Sequence, residues 1–123
     1  MGRRRRVGMA GMKQGDVYMV GLDPPRRTEV GKVRPALIIS VDEMNDHAPM
    51  VIIATITSNV SRVYKSEMLI PKIGGLEMES KVMLNQICSI EKSRLKERLG
   101  QVDRLTLKTA CDLATKLITP PKE

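Results

Sequence analysis

The 123-residue chain contains no Trp and no Phe, and its only aromatic rings are Tyr18 and Tyr64. Modules that hold single-stranded nucleic acid by stacking successive bases need several such rings, so that class is excluded. His47 is the single histidine. A mechanism built on two catalytic imidazoles is therefore ruled out, and His47 reads as an exposed residue of a polar turn. Cys88 and Cys111 stand apart with no CxxC spacing, which fits unbridged thiols better than a disulfide or a zinc site. No apolar run nears the ~18 residues of a membrane span. The arginine-rich start is not followed by the apolar segment of a secretory signal, so the chain reads as a cytoplasmic protein without a membrane association. P-loop, GxSxG and HExxH motifs are missing. The acids form no DxD or DxxE cluster of the kind two-metal nucleases use. No metal site and no cofactor is expected.

What is present is a moderate apolar content, 41%, which is enough for one core in one domain. A domain of this size gains from burial against a second copy of itself. The net charge is +7, but it is unevenly placed. Residues 1–14 carry Arg3, Arg4, Arg5, Arg6 and Lys13 without an acid. That leaves 16 basic against 14 acidic groups for the rest. The basic excess is thus mostly a tail, suited either to phosphate contact or simply to solvation. Beyond the tail, Arg26, Arg27, Lys32 and Arg34, tempered by Glu29, gather in one short loop.

The pattern of apolar residues sets the organisation. Residues 1–14 read as a disordered basic tail and 15–119 as the folded domain, with order beginning at Gly15. A strand is expected at 16–22, then a Pro-, Arg- and Gly-rich loop to Val33. Ala36–Val41 (ALIISV) and Met50–Ile56 (MVIIATI) are unbroken apolar runs, the signature of strands buried on both faces. Between them, Asp42–Pro49 is a turn or a single helical turn. A short strand over 66–71 and a Gly74-Gly75 turn lead to 81–90 (KVMLNQICSI), the last clear strand. Ser93 then reads as the cap of a short helical turn stopped by Gly100. Asp103 caps a longer helix over 104–118. There Ala110, Leu113, Ala114, Leu117 and Ile118 form one apolar stripe. Five mostly consecutive strands followed by a helix, with no crossover helices, point to a mainly β fold: a small antiparallel barrel or curled sheet.

With histidine and acid chemistry set aside, any catalysis falls to arginine, hydroxyl and amide groups. Two junctions carry them. Arg34 sits beside Pro35 at the entrance to a buried strand, as a two-pronged phosphate ligand or as an ordinary strand-end arginine. Thr57, Ser58 and Asn59 follow a buried strand directly, where they offer hydroxyls and an amide to a ligand or make a plain turn.

Taken together, the motifs resemble the MazF/PemK toxins from Gly15 to Ile118. The likeness is carried by Gly15-Asp16-Val17-Tyr18, by Leu22-Asp23-Pro24, by Glu29, and by the run Gly31 to Ser40 (GKVRPALIIS). It continues in Ile56-Thr57-Ser58-Asn59, in Leu84-Asn85-Gln86-Ile87 and in Ser89 to Leu95 (SIEKSRL). Each piece is short, and their order and spacing make the match specific. Where the family commonly has DQxR, this chain has Asn85-Gln86-Ile87-Cys88. Thr28 stands where Ser or His is frequent, and Arg26 and Arg27 replace smaller residues.

The resemblance implies an SH3-like barrel of the PemK/CcdB type with a C-terminal helix. It also implies a homodimer that cuts single-stranded RNA and is silenced by a cognate acidic antitoxin. It assigns Arg34 and Thr57 as the catalytic pair, Glu29 as a substrate contact and Gln86 as the glutamine of the family motif; the loop residues Arg26, Arg27, Thr28 and Lys32 and the turn residues Ser58 and Asn59 are expected to add RNA contacts. The expected reaction is metal-independent attack of the ribose 2′-hydroxyl on the adjacent phosphate. Arg34 would meet the phosphoryl charge and Thr57 would orient a proton. Two alternatives share the fold, since fold does not fix function: a non-catalytic toxin that binds a protein such as DNA gyrase, and a plain RNA-binding barrel.

Overall fold

The computed structural model describes residues 11–22 and 33–122. Six strands and two helices follow in the order β1 (Asp16–Gly21), β2 (Val33–Ile38), α1 (Asp42–His47), β3 (Met50–Thr57), β4 (Glu67–Ile70), β5 (Ser80–Glu91), β6 (Leu95–Gln101) and α2 (Arg104–Ile118). A 3₁₀ turn, Lys92–Arg94, joins β5 to β6. All described strand pairs are antiparallel, in the order β4-β5-β3-β2-β1-β6.

The central strands are buried on both faces, as their unbroken apolar runs require. Leu37, Ala54, Ile56, Val82 and Leu84 join the cluster that also takes Ala110 and Ala114 of α2. Ala36, Ile38, Val51 and Ile53 join Tyr18, Val20, Ile90 and Leu95 in a second cluster. The expected single core is therefore two, because successive residues of a strand point to opposite faces. Met12 belongs to the second cluster and is fully buried. Gln14 bonds through its backbone N–H to Asp42 (2.8 Å) and through Nε2 to the Ile39 carbonyl (2.8 Å). Packing thus starts before Gly15, the expected first ordered residue.

The sheet curls because the turn after β4 folds back on β6. Gly74 and Gly75 both adopt positive φ, +63° and +83°, and their backbone lies on Gly100 of β6. A Cβ added at Gly100 would stand 2.6 Å from the Gly74 carbonyl carbon. Residues 95–101 are thus a strand, and the expected helical turn over 93–99 is confined to Lys92–Arg94. Gly100 serves close backbone approach rather than a helix stop.

Helix α2 matches its expected bounds. Asp103 accepts a hydrogen bond from the Thr106 N–H at 2.7 Å. Its stripe is only partly covered: Ala110 and Ala114 are buried and Leu113 is half-buried. Leu117 and Ile118, expected in the core, are 42% and 73% exposed in the isolated chain. Cys88 on β5 and Cys111 on α2 are not bridged. Among the described residues no helix is long and apolar enough to cross a membrane.

Candidate active site

The site arises where the β2–β3 ladder stops. Its last pair is Ala36 with Thr55; beyond it comes Pro35, which has no N–H to donate. Arg34 and Thr57 are one pleat step further, each at an equivalent position of its strand, so their side chains share a face. Arg34 also lies across from Val20 of β1, inside β2 rather than at its entrance. Both residues are half-buried. Both line a cavity of about 650 Å³ that includes Ser58, Ser80, Glu77 and Glu97. Both also line a second cavity of about 330 Å³ with Asn59, Lys81, Met83 and Gln86.

Local chemistry fixes the groups after β3. The Asn59 N–H donates to Thr57 Oγ1 at 3.2 Å. Asn59 Oδ1 in turn accepts from the Ser61 N–H (3.3 Å) and the Ser61 hydroxyl (2.9 Å). Turn chemistry and ligand presentation are therefore not rivals here. The turn occupies the Asn59 carbonyl oxygen and leaves its amide N–H groups for other partners. Gln86 reaches the same cavity through an irregularity in β5. The partner of β3 jumps from Ile87 at Ala54 to Met83 at Thr55, so Leu84, Asn85 and Gln86 bulge out of register. Gln86 is exposed, with Oε1 3.5 Å from Thr55 Oγ1.

Beside these groups lies an ion pair that the sequence did not reveal. Lys81 of β5 is directly across from Thr57. Its Nζ donates to Glu67 Oε1 at 2.8 Å and to the Arg62 carbonyl at 2.7 Å. Only 9% of the Lys81 side chain and 5% of the Glu67 side chain are exposed. Glu67 also accepts the Tyr64 N–H at 2.8 Å. Burial raises the Glu67 pKa, but the Lys81 hydrogen bond, the Tyr64 N–H and the Lys81 charge outweigh it, and the carboxyl lies below its ordinary range. Tyr64 is flanked by Arg62 and Lys81, each 5.7 Å from its ring centre.

Of the expected site residues, Arg34, Thr57, Ser58, Asn59 and Gln86 are thus brought to one region. Arg26, Arg27, Thr28, Glu29 and Lys32 lie outside the described residues. Lys81 and Met83 line the smaller cavity unanticipated. The sequence offered only one signal for Lys81, a charge just before the apolar run Val82-Met83-Leu84. No group of three or more His, Cys, Asp or Glu side chains gathers as a metal site among the described residues.

Residues 13–117 match the model of the PemK-like, MazF-like toxins of type II toxin–antitoxin systems. The chain is 38% identical over 90 residues to the endoribonuclease MazF of Staphylococcus saprophyticus, covering 72% of this chain and 75% of that protein. An endoribonuclease from a mycobacterial species superposes with a TM-score of 0.74 at 20% identity, covering 94% and 98% of the two chains. A chain of the MazE–MazF structure (Form-II) from Deinococcus radiodurans gives 0.75 at 20% identity, covering 89% and 97%. These two likenesses bear on the fold, which is mainly β with a C-terminal helix. With the motifs, the curled antiparallel sheet and a family match over residues 13–117, the chain belongs to the PemK-like, MazF-like toxin family of type II toxin–antitoxin systems.

Proposed function

We propose that this protein is a sequence-selective endoribonuclease toxin that cleaves single-stranded RNA in the cytoplasm, acts as a homodimer and is neutralised by a cognate acidic antitoxin. The observation that carries the reading is the shared position of Arg34 and Thr57, side by side at the open end of the β2–β3 ladder and lining the same two cavities. The antitoxin is supported by a related mycobacterial endoribonuclease solved in complex with its own.

In the proposed reaction the ribose 2′-oxygen bonds to the adjacent phosphorus and the bond from phosphorus to the 5′-oxygen breaks. The 2′-oxygen loses its proton and the 5′-oxygen gains one. The products are a 2′,3′-cyclic phosphate and a 5′-hydroxyl. Arg34 meets the charge that builds on the phosphoryl oxygens, and its planar fork suits two of them. Thr57 Oγ1 already accepts the Asn59 N–H, which leaves the hydroxyl proton to donate toward substrate. A threonine hydroxyl is a weak base near neutral pH, so Thr57 orients the proton rather than abstracts it. Asn59 and Gln86 supply amide contacts to bases or sugar.

The test is a gel of end-labelled single-stranded RNA incubated in EDTA. Cleavage with cyclic-phosphate ends is expected, and a 2′-deoxy substitution at the scissile nucleotide should abolish it. Arg34→Ala and Thr57→Ala should fold and each lose ~10²–10³ in single-turnover rate, the usual cost of one oriented donor to an oxyanion. Arg34→Lys should also fail, since a point charge does not replace the fork. Binding without cleavage by the natural chain, or near-normal cleavage by folded Arg34→Ala, would overturn the assignment.

A further inference from the structure

Lys81 is a buried cation in a strand of a small domain, and burial of an ion pair is a poor source of stability. Taking two charges out of water often costs more than their attraction returns, and an apolar pair of similar volume frequently serves the fold as well. The position of Lys81 shows another use. β3 is the middle of three adjacent strands, β2-β3-β5. Thr57 of β3 is directly across from Lys81 on one side and one pleat step past the Ala36–Thr55 pair, level with Arg34, on the other. Residues so placed share a face. Neighbouring strands are roughly 4.8 Å apart, so the two cations flank the Thr57 hydroxyl at about 10 Å from backbone to backbone. All three line the cavity of about 330 Å³.

We propose that Lys81 is a second phosphate-binding cation of this site, gripping the scissile phosphodiester from the β5 side while Arg34 holds it from the β2 side. This rests on the ribonuclease reading above. An ammonium has three N–H donors. Two are directed at Glu67 and the Arg62 carbonyl, and the third is the one offered to the phosphate. Glu67 aims the ammonium and offsets its repulsion from Arg34. The contact to the Arg62 carbonyl ties the loop after Thr57 to β5, so the same side chain sets the wall of the cavity.

The test reads salt dependence, which a merely structural lysine would not alter. Each phosphate contact on single-stranded nucleic acid adds about 0.7 to the slope of log affinity against log salt. Binding of a mixed-sequence single-stranded RNA carrying 2′-fluoro sugars, which lack the nucleophile, is followed by anisotropy across a salt series. Lys81→Met should lower the slope by about 0.7. It should slow single-turnover cleavage of the all-ribose RNA roughly ten- to hundredfold, the range of one charged hydrogen bond. Because that variant strands Glu67 without its cation, Lys81→Met/Glu67→Leu is measured beside it. This apolar pair should fold and show the same losses. Glu67→Gln, which breaks the ion pair but keeps the cation, should retain the natural slope. A folded Lys81→Met/Glu67→Leu protein with natural slope and rate overturns the proposal, as does an equal drop in slope for Glu67→Gln. Failure of the natural chain to cleave the all-ribose RNA would instead remove the ribonuclease reading, and this inference with it.

Discussion

At the scale of single residues, the site divides into groups a linear reading can find and groups only strand pairing can find. Arg34 and Thr57 were legible as candidates because each lies at the end of an apolar run, and the family resemblance, not the local pattern, singled them out as a pair. Lys81 lies 24 positions from Thr57 and becomes its neighbour only through the β3–β5 register. The Lys81–Glu67 pair also makes a pH prediction. The groups facing Glu67 are the Lys81 ammonium and the Tyr64 N–H, with Arg62 held beside the same Tyr64 ring. Burial raises its pKa, and the Lys81 ammonium and the Tyr64 N–H more than offset this, so it lies below its ordinary range. A carboxyl whose folded pKa lies below its unfolded one stabilises the fold above the unfolded value and loses that contribution as pH falls through the folded one. The difference in Tm between the natural protein and Glu67→Gln should therefore be level above about pH 5 and shift against the natural protein below about pH 4. Thermal melts over a pH series check this. A difference that stays flat, or moves the other way, would show that Glu67 is not held ionised by its partners.

At the scale of elements, β1 to β5 and α2 could be placed from apolar runs and one cap, while β6 could not. Its sequence, LKERLGQ, mixes three charges with a glycine, and only Leu95 is buried. An edge strand with one wet face carries no long apolar run, and its charges imitate a helical turn. Its glycine is explained by contact rather than by local conformation: the Gly74-Gly75 backbone lies where a side chain of residue 100 would be. Gly100→Ala would bring its Cβ to 2.6 Å from the Gly74 carbonyl carbon and 2.9 Å from the Gly75 nitrogen. Backbone cannot swing aside as a flexible side chain can, so a loss of about 1–3 kcal/mol is expected, as for an overpacked core. At Gly21 the nearest atom to such a Cβ is Lys96 Cε, at 3.4 Å, and Gly21→Ala should be tolerated. Denaturant melts of the two variants compare them. Equal stability would mean that the turn does not close the sheet on β6. Gly75 also lines the larger cavity, so the same contact shapes one wall of the site.

At the scale of the whole molecule, charge and packing divide the N-terminal segment at a point composition does not mark. The run Arg3 to Arg6 supplies four of the seven net positive charges. Lys13 and Met12, which composition alone places in the tail, belong to the packed domain. The Lys13 N–H caps onto Asp16 Oδ2 at 2.8 Å, and Met12 is fully buried against the second apolar cluster. A methionine in a basic, glycine-rich segment that holds two others has no period to announce it, which is why this boundary was not legible. Two truncations should therefore behave differently. Removing residues 1–13 deletes a buried side chain of the size whose truncation usually costs about 2–5 kcal/mol, and that protein should melt early. Removing residues 1–10 takes away four arginines and leaves Met12 in place, so Tm should fall less. If the arginines touch RNA, the shorter deletion lowers the salt slope of binding by about 0.7 for each phosphate they neutralise. The position of cleavage should not move, since Arg34 and Thr57 are held by β2 and β3. Measuring slope, Tm and product ends on one preparation separates the roles. An unchanged slope with an unchanged Tm would mean the arginines only keep the chain solvated, and a shifted cleavage site would mean they help select the RNA.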